Sequence, residues 1–320
     1  MQVGVIGMNF KVGDLKLREI LAKKYQQLSL SFPCVFLNTC NRSEVYFTGD
    51  DLPFIHSEIF RYLSDEIPTH KLYSYFEKEC FLHLCQVTAG LDSAIFLETE
   101  IQRQVKLAYH KRKENYFLPE CMHFLFQKSL KVAKSIRNTV KSSKKYSLES
   151  SIWCISQFLL KNSRPLFIGF SKTNRQICSY FLRKGITSMA FSSRYASCME
   201  FTKKNHLRFV KWNNFYDYHE YNLIIIASNF DEMILKKEHF LDVKDNVVIF
   251  DLSVPRKAEP ELSCNPFVDL FDIDTIASPT VHADSKERQE CEIILHSHVN
   301  RLFSTFEQKQ KYKLQTALAL

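Results

Sequence analysis

Apolar positions in the first fifty residues fall into three short runs and one helical stretch. QVGVIGM (2–8), CVFLNT (34–39) and EVYFTG (44–49) read as strands, and DLKLREILAKKYQQL (14–28), apolar at every third or fourth position, reads as a helix. Cys40, Asn41 and Arg42 then occupy a short loop between paired strands. From Pro53 the pattern turns helical, with a helix over about a dozen residues, a strand-like YSYF (73–76) and two or three longer helices to about Ser143. In the last of these Phe126, Leu130, Ala133, Ile136 and Val140 form an apolar stripe, opposed by Lys128, Lys131, Lys134, Arg137 and Lys141.

Near Ser147 the pattern changes. Ser-Leu-Glu-Ser opens a helix through Leu160 that Asn162 and Ser163 end, and the chain then alternates in the α/β manner. PLFIGF (165–170), SMAFSSR (188–194), RFVKW (208–212), NLIIIAS (222–228) and NVVIFDLS (246–253) are strand candidates, and NRQICSYFLRK (174–184) is a helix stopped by Gly185. Continuous apolar runs such as LIIIA and VVIF suit strands covered on both faces of a parallel sheet. Residues 285 to about 313 form one long polar helix with apolar positions at Ile293, Ile294, Val299, Leu302, Phe303 and Phe306, a narrow stripe expected to lie along another surface or subunit. The fold class is α/β multidomain: an N-terminal α+β domain (1–146), a Rossmann-like domain (147–280) and a long C-terminal spinal-type helix (281–320).

Composition narrows this picture. The chain has seven glycines where average usage would give about 22, and no two stand in a G-x-G-x-x-G or G-x-x-x-x-G-K-S/T arrangement, which excludes a P-loop. Apolar runs fall short of the roughly 20 residues of a membrane span, and no leader-like start is present, so the chain reads as cytoplasmic. Ten cysteines without a C-x-x-C pair argue against zinc and a disulfide framework. The net charge of +8 is concentrated: residues 103–145 carry twelve Lys/Arg against Glu114 and Glu120. Such a block is either a solvated helix surface or a phosphate-binding face.

Two places carry candidate chemistry. Cys40 sits in a tight loop beside Arg42, where a thiolate is favoured, although a single free cysteine is more often a small buried hydrophobe. His83, in a helical segment, is the nearest base. After Phe167-Ile168 comes a strand-to-helix turn, Gly169-Phe170-Ser171-Lys172-Thr173-Asn174, which keeps only the first glycine of the dinucleotide fingerprint. At the end of the following strand Ser192-Ser193-Arg194 replaces the acidic residue that takes the ribose hydroxyls of NAD. Arg194 there suits the 2′-phosphate of NADPH, or is a surface charge.

Taken together these segments resemble glutamyl-tRNA reductases. Thr39-Cys40-Asn41-Arg42-Ser43-Glu44-Val45-Tyr46 is similar to that family's T-C-N-R-x-E-x-Y signature. His83-Leu84, Gly90-Leu91-Asp92-Ser93, and Glu98 through Gln104-Val105-Lys106 resemble its H-L, G-L-D-S and E-P-Q…Q-V-K blocks. Leu125-Phe126-Gln127-Lys128 with Ala133-Lys134 and Arg137 resembles its L-F-Q-K helix, and Asp251-Leu252-Ser253-Val254-Pro255-Arg256 its D-I/L-A/S-V-P-R segment. The resemblance implies NADPH-dependent reduction of glutamyl-tRNA(Glu) to glutamate 1-semialdehyde, the first step of tetrapyrrole (porphyrin) synthesis. It implies a thioester on Cys40, since hydride reduction to an aldehyde needs an acyl group that departs afterwards. It implies a proton-handling His83, and substrate recognition by Thr39, Asn41, Arg42, Ser93, Glu98, Thr99, Glu100 and Gln104, with the Arg42 fork on the glutamate carboxylate. Gly169, Phe170, Ser171, Lys172, Thr173, Asn174 and Arg194 are the implied NADPH contacts. The basic stretch then meets the tRNA backbone, residues 1–146 are the catalytic and tRNA-recognition domain, and further partners are a second copy through the C-terminal helix and glutamate-1-semialdehyde aminomutase.

Three positions depart from the family pattern. Glu98-Thr99-Glu100 stands for E-P-Q, Gly169 to Asn174 for G-A-G-E-M-G, and little follows the C-terminal helix where the family usually adds a dimerisation domain. The altered turn keeps a rival open, a catalytically weakened paralogue or a tRNA-binding protein with a degenerate NADP site. A small-molecule NADP dehydrogenase would leave the basic stretch without a role.

Overall fold

The computed structural model describes residues 2–28, 32–139, 147–160, 164–212, 220–230, 232–277 and 285–318. Val140, Lys141, Ser143, Lys144 and Lys145 of the basic stretch, the helix stop at Asn162 and Ser163, and the expected domain junctions at 146/147 and 280/281 lie outside them. Along the chain the first elements are β1 (Val3–Asn9), α1 (Leu15–Gln27), β2 (Cys34–Asn38), β3 (Arg42–Thr48), α2 (Leu52–Ser64), β4 (Tyr73–Phe76), α3 (Glu77–Ala89), α4 (Glu100–Asn115) and α5 (Glu120–Thr139). Then come α6 (Leu148–Leu160), β5 (Pro165–Ile168), α7 (Lys172–Arg183), β6 (Ala190–Ser192), α8 (Ala196–Lys204), β7 (Arg208–Val210), β8 (Leu223–Ile226), β9 (Val247–Asp251), β10 (Val268–Asp272), α9 (Ile273–Ala277) and α10 (Ser285–Leu318). They form two compact units, Met1–Tyr146 with Thr280–Leu320, and Ser147–Pro279.

The first unit is built on an antiparallel sheet in the order β2-β3-β1-β4. Successive strand side chains point to opposite faces, and this sequence places apolar residues on both. Val3, Val5, Val35, Leu37 and Tyr46 pack with α3, α4, α5 and α10, while Ile6, Met8, Val45 and Phe47 pack with α1 and α2. Arg42 and Glu44 fall on the Tyr46 face by the same two-residue period, so the pleat directs two charged groups toward α3.

The C-terminal helix lies along another surface of its own chain. Its buried stripe is Cys291, Leu295, Val299, Phe303 and Phe306, spaced by four and three residues as one face of a helix requires, and it packs on α3 and α5 of the same chain. Phe124 of α5 meets Phe306 at a 4.4 Å ring separation, and Ser135 Oγ lies 3.2 Å from His298 Nε2. Ile293, assigned to the stripe from sequence, is 65% exposed. The buried stripe thus packs on helices of the same chain. Leu295→Ala, which empties a fully buried site, is expected to cost about 2–4 kcal/mol of unfolding free energy in urea titrations; a loss below about 0.5 kcal/mol would detach α10 from this core.

The second unit carries a six-stranded, wholly parallel sheet in the order β10-β9-β8-β5-β6-β7. Counted from β5, this is the doubly wound order in which the sequence direction reverses between β5 and β8, and ligands of such sheets bind outside the carboxyl ends of the strands at that reversal. β10 was not expected: VDLFD alternates, with only Val268 buried, as an edge strand does. Among the described residues no helix is long and apolar enough to cross a membrane.

Candidate active site

Cys40 stands in the turn that joins β2 to β3, whose last pair is Asn38 with Ser43. Thr39 makes the turn. Its amide donates to the Arg42 carbonyl at 2.8 Å, and its Oγ1 accepts from the amides of Asn41 and Arg42 at 3.2 Å each. A threonine hydroxyl bonded to amides two and three residues on is a side-chain-made turn. The Phe10 amide donates to the Asn41 carbonyl at 2.9 Å and ties the turn to the end of β1. Thr39 and Asn41 are buried, and Cys40 is half-exposed between them.

Below the turn the β3 charges meet α3. Glu44, fully buried, accepts from Arg42 Nη1 at 3.0 Å, Tyr73 Oη at 2.6 Å and His83 Nε2 at 2.8 Å on Oε1, and from Tyr46 Oη at 2.7 Å on Oε2. Burial alone would push this carboxyl up; the facing His83 and Arg42, with the hydrogen bonds, hold it far below the ordinary carboxylate range. His83 is 6% exposed and is flanked by the rings of Tyr73 and Tyr75 at 5.3 and 4.9 Å. Its Nε2 is thus committed to Glu44.

Arg42 lies beside Glu44 on the same strand. Its guanidinium is wholly buried, and its fork is already engaged by Glu44, by Asp92 Oδ2 at 3.1 Å and by the Asp92 carbonyl. Asp92 also takes Asn9 Nδ2 at 3.1 Å and the Lys11 ammonium. Arg42 therefore braces β3 to the G-L-D-S block through both terminal nitrogens, while its buried Nε–H has no hydrogen-bond partner among the described residues. The block reaches it because Gly90 ends α3 at φ +80°, with the Leu91 amide returning to the Gln86 carbonyl; a Cβ at Gly90 would stand 2.9 Å from the Glu98 amide nitrogen.

The remaining first-unit candidates divide. Glu98 Oε1 accepts from Asn41 Nδ2 at 3.3 Å, and burial pushes its carboxyl up against the opposing pull of Ser93, Arg42 and Asn41. Ser93 and Asn41 are buried beside it, and Asn41 Oδ1 accepts nothing from the protein. Thr99 is exposed at the start of α4, and Glu100 is paired with Arg103 one turn on. Gln104 is half-buried on α4; the glutamine that the fold engages is Gln102, which accepts from Arg137. Arg137 also donates to the carbonyls of Thr88 and Glu98 at 2.9 and 3.0 Å. It leaves the basic ridge and clamps the G-L-D-S loop, while Lys131 and Lys134 stay exposed.

The other thiols are set apart by burial. Cys34, Cys198 and Cys291 are pushed up to about 11 and Cys178 to about 12, and Cys80 and Cys85 are raised as well, which suppresses the nucleophilic thiolate. Cys121 is half-buried against Thr48 Oγ1, and Cys154 and Cys264 are exposed. Of the ten, Cys40 alone stands in a turn built around it.

In the second unit Gly169 leaves β5 at φ +92°, and a Cβ there would meet the Ala227 carbonyl oxygen at 2.5 Å. The missing glycines have specific replacements. Ser171 caps α7 by accepting from the Asn174 amide at 3.0 Å. Asn174, fully buried, donates through Nδ2 to the carbonyls of Ile168 and Gly169 at 2.9 Å and so shapes the turn from inside, with its Oδ1 accepting nothing from the described residues. Phe170 packs on Phe191 and Phe201. Lys172 is exposed and Thr173 half-exposed in the first turn of α7, where the helix dipole favours phosphate. At the carboxyl end of β6 the chain itself supplies no acid; the exposed Arg194 stands there and donates to Glu232. The reversal point, the glycine cradle and the helix end fit a nicotinamide dinucleotide.

Sequence reasoning passed over Glu44, Tyr73 and Asp92 as a set. The available signal was an acid inside β3, whose seven residues are all buried and which therefore needed partners.

Residues 6–140 match the family model for the glutamyl-tRNA reductase N-terminal domain, and residues 155–278 that for shikimate/quinate 5-dehydrogenase. A glutamyl-tRNA reductase of Chlamydia caviae is 33% identical over 80% of this chain and 78% of that protein, and one of Chlamydia pneumoniae is 27% identical over 100% and 97%. Among solved structures, the glutamyl-tRNA reductase of Methanopyrus kandleri superposes with a TM-score of 0.52 at 19% identity, covering 99% of this chain and 82% of that one. The chain belongs to the glutamyl-tRNA reductase family.

Proposed function

We propose that the chain reduces glutamyl-tRNA(Glu) with NADPH to glutamate 1-semialdehyde, opening tetrapyrrole synthesis. The observation that carries this reading is the Thr39-made turn that leaves Cys40 half-exposed at the start of the strand bearing Glu44, the buried partner of His83. Cys40 Sγ attacks the aminoacyl ester carbon; the bond to the tRNA ribose oxygen breaks, that oxygen takes a proton, and the glutamyl group is held as a thioester. With Nε2 fixed on Glu44, His83 has Nδ1 to take and return the proton. NADPH, when bound, would supply hydride to the thioester carbonyl carbon; the C–S bond then breaks, the aldehyde leaves, and a proton from solvent restores the Cys40 thiol. Asn41 Oδ1, buried and accepting nothing, is placed to take an N–H from the glutamyl group. Arg42 contributes to recognition of the glutamate carboxylate only if that carboxylate exchanges with Asp92.

Gly169, Lys172, Thr173 and Arg194 would hold the cofactor, while Ser171 and Asn174 shape the turn. Cytoplasmic action, a second copy met through α10 and contact with the aminomutase belong to this reading on family resemblance alone. A weakened paralogue is favoured by one observation, the replacement of two fingerprint glycines by Ser171 and Asn174. The assay of the purified chain with charged tRNA separates the two: aldehyde is expected to form only with NADPH, and tRNA binding without aldehyde would establish the paralogue.

A further inference from the structure

The carboxyl end of β6 holds more than an arginine. Arg194 Nη2 donates to Glu232 Oε2 at 2.7 Å, and its guanidinium carbon lies 4.9 Å from the Trp212 ring centre and 4.7 Å from that of Phe230. Trp212 meets Phe230 edge to face at 4.8 Å, and Tyr195 stacks on Phe230 at 6.0 Å. Phe230 and Glu232 come from the segment that follows β8, next to β5 across the reversal point. Aromatic contact occupies the face of a guanidinium and leaves its N–H edge, the edge that a phosphate would bind. Glu232 takes that edge.

We propose that Glu232 is a specificity-determining latch on Arg194, which the 2′-phosphate of NADPH must displace and which NADH leaves closed. This rests on the NADPH reading above. The latch lowers the discrimination that Arg194 confers, because every NADPH that binds must first open an ion pair, whereas a cofactor without the phosphate meets no such cost. Among the described residues of this strand end, Ser192 is buried and Ser193 accepts from the Tyr195 amide.

The test is calorimetric titration of the full chain with two probes that share an adenosine and differ by the phosphate, 2′,5′-ADP and 5′-AMP. An exposed ion pair of this kind is worth about a three- to fivefold change in affinity. Glu232→Gln is expected to tighten 2′,5′-ADP by that factor and to leave 5′-AMP unchanged. Arg194→Gln should abolish the preference for 2′,5′-ADP, and on that background Glu232→Gln should have no effect. Equal tightening of both probes, or a full gain persisting without Arg194, would reduce Glu232 to long-range repulsion and overturn the latch. If Arg194→Gln removes the preference and Glu232→Gln changes nothing, the latch alone falls; if the wild-type chain shows no preference, the NADPH reading falls and takes the latch with it.

Discussion

Cys40→Ser is expected to lower aldehyde formation at least about a thousandfold while leaving the affinity for glutamyl-tRNA unchanged, the scale seen when a nucleophile is removed from a cooperating site. The exchange keeps size and hydrogen-bonding capacity, and the turn is made by Thr39 Oγ1 and the backbone, so the hairpin persists. What is lost is sulfur: a serine alkoxide is hard to form, and an oxygen ester is a poorer acceptor of hydride than a thioester. The six buried cysteines cannot stand in, since burial holds their thiols protonated. Cys121→Ser, Cys154→Ser and Cys264→Ser should retain activity. Withholding NADPH from the wild type should accumulate a glutamyl adduct that mass spectrometry locates on Cys40. Undiminished turnover by the serine variant, or an adduct elsewhere, would sink the proposed nucleophile.

How much of this was legible in the sequence depended on how local the cause was. The strands β1 to β3 and the runs that became β5, β8 and β9 declare themselves, because continuous apolar segments can only be covered on both faces. β10 escaped because Asp269 and Asp272 interrupt its apolar positions and only its edge role explains the pattern. In α10 the stripe was displaced by counting Ile293 and missing Cys291 and Leu295, a choice that only packing on α3 and α5 decides. Arg42 shows the same limit at the site. An arginine beside a cysteine suggests a substrate fork, yet its partners come from residue 44 in the same strand and from residue 92, fifty positions away. Arg137 and Asn174 are likewise read by residue type, one as a phosphate contact and one as a cofactor contact, yet Arg137 donates to Gln102 and to the distant carbonyls of Thr88 and Glu98, and Asn174 to carbonyls of its own turn. Polar side chains that brace a turn look identical in sequence to those that face a ligand.

That ambiguity makes Glu44→Gln the second large prediction. The substitution keeps shape and removes the charge that balances Arg42, leaving Asp92 as its remaining carboxylate, and the donors from Tyr46, Tyr73 and His83 then face an amide that must itself donate. Breaking one partner of a buried ionic group costs about 3–5 kcal/mol, so urea unfolding at pH 7 should show a loss of that order. The pH dependence fixes its origin. Glu44 is depressed in the folded chain, so its stabilisation is fully present above the ordinary carboxylate value of about 4.3 and is lost as pH falls below it. The gap between wild type and variant should therefore narrow by about 1.4 kcal/mol per pH unit below that point. A gap independent of pH would mean that packing, not charge, is what Glu44 provides. Because His83 Nε2 is fixed by the same carboxylate, turnover should fall about a hundredfold or more with KM for glutamyl-tRNA little changed. A variant that loses stability but turns over normally would make the carboxylate a brace for Arg42 alone and remove His83 from the proton path.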